Sequence, residues 1–322
     1  MAVQTYGDIS QRTAAYAAKV HLEHAAPVEV LARFGDQKEL PKNEAKTIKF
    51  RRPVPFTPAT TPLTEGVTPS GGTMSYEDVT VTVDQYGDFV EISDVIQDMA
   101  EDPVLKDISG LCGEQAAITK EMVLWGVLKA GTNKFYGGAA TSVATVAAGD
   151  VMTRSLQRNV TKALKAQKAL PITSMIDASP NYKTERVAPA YIAFAHTDLE
   201  GSIRDMDGFV PVEQYGQMKA LPYEVGKVED VRYICSPELS PAVAAGAGTP
   251  GIDVYSIVVV GRNSYGDVSM RGSNATKIMV QNPNTPRGGD PLGQRGTVGW
   301  KCFAAPVVLN QAWMAVVNVA AS

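Results

Sequence analysis

The chain has 322 residues, 44% hydrophobic and 20% charged, an ordinary globular composition with apolar mass for one large domain or two modest ones. Thirty Lys and Arg against 34 Asp and Glu leave a formal net charge of -4, so no overall positive field exists to recruit nucleic acid or an anionic membrane. Cys112, Cys235 and Cys302 are odd in number and far apart, which argues against a disulfide framework or a cysteine-based zinc site and for a reducing compartment.

The N-terminus carries no apolar core of signal-peptide type, and no stretch approaches the roughly 18 uninterrupted apolar residues of a membrane span, so a soluble protein is expected. Residues 10–25 predict an amphipathic helix and GDQKELPKN a polar exit, together an arm rather than a domain. KTIKFRR then places Ile48 and Phe50 on one face and Thr47, Lys49 and Arg51 on the other. DVTVTVDQYGDFVEI repeats the pattern with Val79, Val81 and Val83 opposite Thr80, Thr82 and Asp84. Between these strands lies PVPFTPATTPLTEGVTPSGGTMS, residues 53–75, with five prolines, six threonines and Glu65 as its only charge. A two-stranded ribbon is marginal alone in water, so its apolar face must lie on the body of the same chain or on a neighbour. Structureless loops above about 12–15 residues are mostly functional, and stiff prolines and β-branched threonines lower the entropy lost on contact, which reads as a docking arm.

Glu101, Asp102 and Pro103 signal a helix start and Gly131 a stop, predicting a long helix whose stripe includes Leu105, Ile108, Cys112, Ala116, Thr119, Val123 and Val127. Gly110 and Gly113 in its middle read as sites of close packing or a slight bend. A second helix is expected over 153–170, with Lys and Arg outward. A compact mixed section follows: YIAFA as a strand, TDLEGSIRDM with a capping box from Thr197 to Glu200, and VRYIC and VYSIVVV as strands. KIMVQ, VGWKCFAAPVVL and AWMAVVNVA close the chain as extended segments.

Candidate chemistry is thin. GAGTPG, residues 246–251, fits G-x-G-x-x-G, but a loop precedes it and a strand follows, the wrong context for a dinucleotide site. His21 and His24 are spaced to share a metal, yet a polar arm face explains them better. His196, Asp198 and Ser202 are neighbours in sequence without a nucleophile elbow, and helix capping accounts for the stretch. Arg51, Arg52, Arg154, Arg158 and Lys162 are local cations without the interleaved aromatics of a single-strand groove. The expectation is a non-enzymatic, structural protein without cofactor or metal.

The order of parts resembles the major capsid protein of tailed double-stranded DNA bacteriophages, the Hong Kong 97-like fold. KTIKFRR, ATTPLTEGVTP, VTVDQYGDFVEISDVI, EDPVLKDISGLCGEQAA, LKAGTN, EVGKVEDVRYI and DPLGQRGTVGWK are similar to the coliphage N-four group of that family. The resemblance implies an α+β fold with an N-terminal arm (1–45), an E-loop hairpin (46–95), an axial domain (171–274), and a peripheral domain in two parts. Those parts are 96–170, carrying a long spine helix, and 275–322, the closing strands. It implies self-assembly into hexamers and pentamers of an icosahedral head around packaged double-stranded DNA touched by weak, non-specific contacts. The implied location is the virion, assembled in the host bacterial cytoplasm with no membrane involved.

The implied partners are other copies of the chain, a portal, a separate scaffolding protein, since no long N-terminal extension precedes the arm, and a decoration or cement protein. The E-loop contact candidates are Arg51, Arg52, Phe56, Pro62, Leu63, Glu65, Val67 and Met74, with Arg287 and Arg295 as contacts elsewhere. Residues 53–75 contain no lysine, the group through which the namesake capsid cross-links its subunits, so cohesion here is expected to be non-covalent. The alternative on the same fold is an encapsulin-like cellular compartment, distinguished by a cargo enzyme in place of genomic DNA.

Overall fold

The computed structural model describes residues 29–40, 46–95 (less 64, 67, 69 and 70), 104–172, 176–178, 184–186, 189–215, 220–270 (less 222 and 249) and 276–321 (less 285, 287 and 288). A 3-10 turn (Leu31–Arg33) leads into β1 (Asp36–Leu40), followed by β2 (Thr47–Pro53), β3 (Tyr76–Thr82) and β4 (Asp84–Ser93). Then come α1 (Val104–Lys129), β5 (Lys134–Tyr136), α2 (Arg154–Ala166), β6 (Ile176–Ala178), β7 (Thr184–Arg186) and β8 (Tyr191–His196). The rest is α3 (Glu200–Arg204), β9 (Phe209–Pro211), β10 (Glu224–Val228), β11 (Val231–Ser236), β12 (Tyr255–Val260), β13 (Tyr265–Met270), β14 (Lys277–Gln281), β15 (Arg295–Val308) and β16 (Met314–Val319).

Two sheets organise the molecule. The larger has seven strands in the order β5-β16-β12-β8-β11-β10-β9, and its central strands are buried along almost their whole length. Near-continuous apolar runs such as YIAFA and MAVV are what a sheet covered on both faces requires. Alternation divides the load: Tyr191, Ala193 and Ala195 pack with Val160 and Leu164 of α2, while Ile192 and Phe194 pack with Leu124, Trp125 and Leu128 of α1.

The smaller sheet runs β1-β13-β15-β14, with β4 also paired to β15. β15 is long enough to serve several partners: residues 295–304 oppose β4, 297–301 oppose β14 and 305–308 oppose β13. α1 spans 26 residues, about 39 Å at about 1.5 Å per residue, and joins the two sheets. Its first half sets Cys112 and Ala116 against Val298, Trp300 and Cys302, and its second half packs on the large sheet. Gly110 and Gly113 are buried as well, off this stripe, as close packing requires. Gly131 ends the helix where a side chain would strike Met314 and Val316.

Three expectations change. α2 is capped where the helix was expected to begin, Thr153 Oγ1 accepting from Leu156 N–H at 3.3 Å, but it stops at Ala166 because Lys168 takes a φ of 58°, a left-handed conformation that no propensity rule marks. The capping box from Thr197 to Glu200 is replaced by His196, whose Nδ1 accepts from Asp198 N–H at 3.1 Å, while Glu200 pairs with Arg204 one turn on at 2.7 Å. The extended stretch after the loop is two strands: β3 pairs with β2, and beyond Val83 β4 turns into the small sheet. The closing segment likewise serves two sheets, β14 and β15 the small one and β16 the large. The helix start at 101–103 and the N-terminal helix with His21 and His24 lie outside the described residues.

Candidate assembly surface

The β2–β3 ribbon has two unlike ends. At its root, Ile48 faces Val81 and Phe50 faces Val79 across the ladder, and with Val83 they pack on Val268, Phe303, Ala305 and Val307 of the small sheet. The apolar face foreseen from sequence thus lies on the body of the same chain. The two arginines of the root are paired within it. Arg51 donates to both carboxylate oxygens of the opposing Asp78 at 2.8 and 3.0 Å, which holds that carboxyl below its usual range. Arg52 pairs with the opposing Glu77 and lies 5.6 Å over the Trp313 ring, and Lys38 sits 4.5 Å over Phe50. Beside these groups is a cavity of about 310 Å³ bounded by Asp36, Phe50, Arg52, Asn310 and Trp313.

At the tip the balance reverses. The last ribbon bond is Val54 N–H to the Ser75 carbonyl at 2.9 Å. Beyond it Phe56 is 65%, Leu63 77% and Met74 57% exposed, with Pro62 and Glu65 also exposed. Prolines remove donors and fix φ, so the described residues of this stretch build no ladder of their own and present apolar side chains on a stiff backbone. Val67 and Arg287 lie outside the described residues. Arg295 is exposed at the start of β15, its N–H donating to Asp290 at 2.9 Å, away from the ribbon strands in sequence and sheet order. The structure therefore brings Phe56, Pro62, Leu63, Glu65 and Met74 onto one tip and commits Arg51 and Arg52 to the root.

The other motifs resolve into local structure. GAGTPG is a turn closed by the Ala242–Val254 bridge, with Gly248 at a φ of 111°. Asp198, beside His196, accepts from Tyr255 Oη at 2.7 Å. The outward cations of α2 are largely spent inside the subunit: Arg154 and Arg158 donate to Glu229 at 2.9 and 2.5 Å, pulling that carboxyl down to about 2, and Lys165 pairs with Asp230 at 2.5 Å. Among the described residues no group of three or more His, Cys, Asp or Glu is placed to hold a metal ion, and no helix is long and apolar enough to cross a membrane.

Two features escaped sequence reasoning. The first is an uncovered apolar row on the small sheet, Phe89 at 62% and Met279 at 44% exposure. Each strand's alternation was visible, but not the pairing that puts them together. The second is Glu121 in α1, 1% exposed, whose Oε1 accepts from Val30 N–H at 3.2 Å and Leu31 N–H at 2.9 Å and so caps the 3-10 turn of the arm. Burial pushes its carboxyl up to about 7 against the pull of those two amides; Glu29 adds to the rise and Arg33 opposes it. Lys120 pairs with Glu29 at 3.2 Å, and Asp267 of β13 lines the same small cavity, its own carboxyl raised by burial. On a helical wheel Glu121 lies opposite the stripe that the sequence marks on α1, so the sequence offers no signal for its burial.

Residues 76–319 match the model of a family described as phage capsid protein, three quarters of the chain. No curated protein matches in sequence. Among solved structures, the capsid of Ralstonia phage GP4 superposes with a TM-score of 0.69 at 15% identity, over 90% of this chain and 87% of that one. The capsid of cyanophage Pam1 gives 0.57 at 15% identity over 87% of each. The SrpI encapsulin of Synechococcus elongatus gives 0.55 at 10% identity, over 91% and 88%. At such identities the likeness is one of fold, and it is the Hong Kong 97-like α+β fold expected from the sequence.

Proposed function

Because the chain belongs to the phage capsid protein family, we propose that it works as a major capsid protein whose copies complete one another through the ribbon tip. It is a major capsid protein, and its copies build the icosahedral head of a tailed phage. The observation that carries the tip's role is the contrast within one ribbon: a root packed on its own subunit and a tip with Phe56, Leu63 and Met74 in solvent. Covering these side chains on a neighbour gains roughly 25 cal/mol for each Å² of apolar surface removed from water, a modest gain per contact repeated over a whole shell.

The finer reading has the chain form hexamers and pentamers held without covalent links, since residues 53–75 contain no lysine. Residues 46–95 act as the E-loop, 96–170 and 275–322 as the peripheral domain, and 171–274 as the axial domain, behind an arm of residues 1–45. A scaffolding protein, a portal and a cement protein join the assembly in the bacterial cytoplasm. Packaged DNA slides past a net-acidic subunit in which three α2 cations, Arg154, Arg158 and Lys165, are already paired, so non-specific grip stays weak.

Expressing the chain and imaging it by negative stain tests this. Closed megadalton shells are expected, and elution of the purified protein near its own 34.3 kDa would contradict the reading. Boiled shells should run as a single band near that mass, and a covalent ladder would overturn the non-covalent part. Genomic DNA inside native particles fits a phage head, and a cargo enzyme would point to the encapsulin-like alternative.

A further inference from the structure

We infer that the uncovered half of one face of the small sheet, where Phe89, Gly299 and Met279 form a row beside Lys277 and Lys301, is the seat of a second copy's ribbon tip, with Glu65 of that copy between the lysines. This rests on the reading that the tip is completed by another copy, and adds where it lands.

Side chains of β15 alternate. Val298, Trp300 and Cys302 point to α1, so Thr297, Gly299, Lys301 and Phe303 point the other way. At the Phe303 end that outer face is already covered by a ribbon, the chain's own root, through Ile48, Phe50, Val79 and Val81. At the Gly299 end the glycine itself is buried between its strand neighbours, but the side chains that flank it are left in solvent. The register sets Phe89 opposite Gly299 on one side and Met279 opposite it on the other, and both side chains are largely exposed. A Cβ at 299 would lie 2.8 Å from that of Phe89, so the glycine keeps the row flat.

One register step away, Lys301 stands directly opposite Lys277. Like charges so placed destabilise a sheet, and no ion pair among the described residues neutralises either lysine. Glu91, the acid on the same face, opposes Thr297, roughly 13 Å along the strand from Lys301 at about 3.3 Å per residue. An apolar row flanked by two unneutralised cations calls for an apolar partner carrying an acid. The ribbon tip offers that set: Phe56, Leu63 and Met74 in solvent and Glu65 as the one charge in residues 53–75.

A charge exchange tests the pairing in full-length protein, read as shell yield by light scattering and negative stain, with circular dichroism confirming that each free subunit folds. Glu65→Lys alone, and Lys277→Glu with Lys301→Glu alone, should each cut shell yield about tenfold or more, because each brings like charges together at the contact. Combining the three changes should restore most of the yield. If Glu65→Lys fails and the combination does not rescue it, the seat lies elsewhere while the tip reading stands. If Glu65→Lys assembles as the parent does, the pairing is overturned. Yield lost only on the lysine side, and recovered by adding an isolated cement protein, would assign the face to that protein and overturn the inference. A parent chain that forms no shells would instead overturn the function proposed above.

Discussion

The root and the tip of the β2–β3 ribbon belong to one continuous stretch of chain, yet they are stabilised from different sources. The root buries Val81 and Val83 to 7% and 4% exposure on its own subunit and pairs Arg51 and Arg52 across the ladder. The described residues of the tip are exposed, and its prolines limit its backbone freedom. The difference separates what folding must supply before assembly from what assembly alone can supply. A root held by its own subunit aims the tip, so the ordering entropy left for the contact between copies falls on fewer residues.

Breaking the root should have the largest effect. Val81→Asp puts a carboxylate into the cluster of Val268, Phe303 and Ala305 with no cation in that cluster, and should cost the free subunit on the order of 3 kcal/mol or more, read as a lower urea midpoint. An unchanged midpoint would mean that the ribbon does not lean on the body.

The arm anchor is a second, polar root, and pH should move it by a similar amount. Glu121 binds its proton more tightly folded than unfolded, so stability is full below the ordinary glutamate value near 4.5 and falls as pH rises toward about 7. The loss over that window is about 3 kcal/mol, at about 1.4 kcal/mol per tenfold change in proton affinity. Glu121→Gln, whose amide oxygen can still accept from Val30 and Leu31, should flatten this dependence between pH 5 and 8 and slow hydrogen exchange of those two amides at pH 8. An identical pH profile in the variant would assign the dependence to the neighbouring Asp267 instead.

Changes at the tip should spare the subunit and touch only the shell. Phe56→Ala with Leu63→Ala should leave the free subunit within about 0.5 kcal/mol of the parent while weakening each contact between copies by about 1–2 kcal/mol, seen as a lower shell melting temperature. Glu65→Ala should lower shell melting less, again without unfolding the subunit. Smallest of all, Arg51→Ala removes a solvent-exposed cross-strand pair and should hardly move either melting curve.

The legible parts of the molecule were those that local rules control. Period-2 alternation gave β2, β3 and β14, the apolar stripe gave α1, and a loop too long and too uncharged to be a linker drew attention to residues 53–75. What was not legible depended on partners distant in sequence. Nothing within QYGDFVEI says that β4 leaves the ribbon for β15, and nothing within KIMVQ says that Lys277 will stand against Lys301. Glu121 reads as an ordinary helix-surface acid until the arm's two amides arrive from about 90 residues away. The end of α2 turned on a left-handed Lys168, which a sequence of good helix formers conceals.

Hydroxyl-radical footprinting of the same protein as free subunits and as shells bears most directly on the claim that copies complete one another through the tip. Phe56, Leu63 and Met74 should oxidise readily in the subunit and become protected in the shell, while Val81 and Val83 stay protected in both. Equal oxidation of Phe56, Leu63 and Met74 in the two states would contradict it.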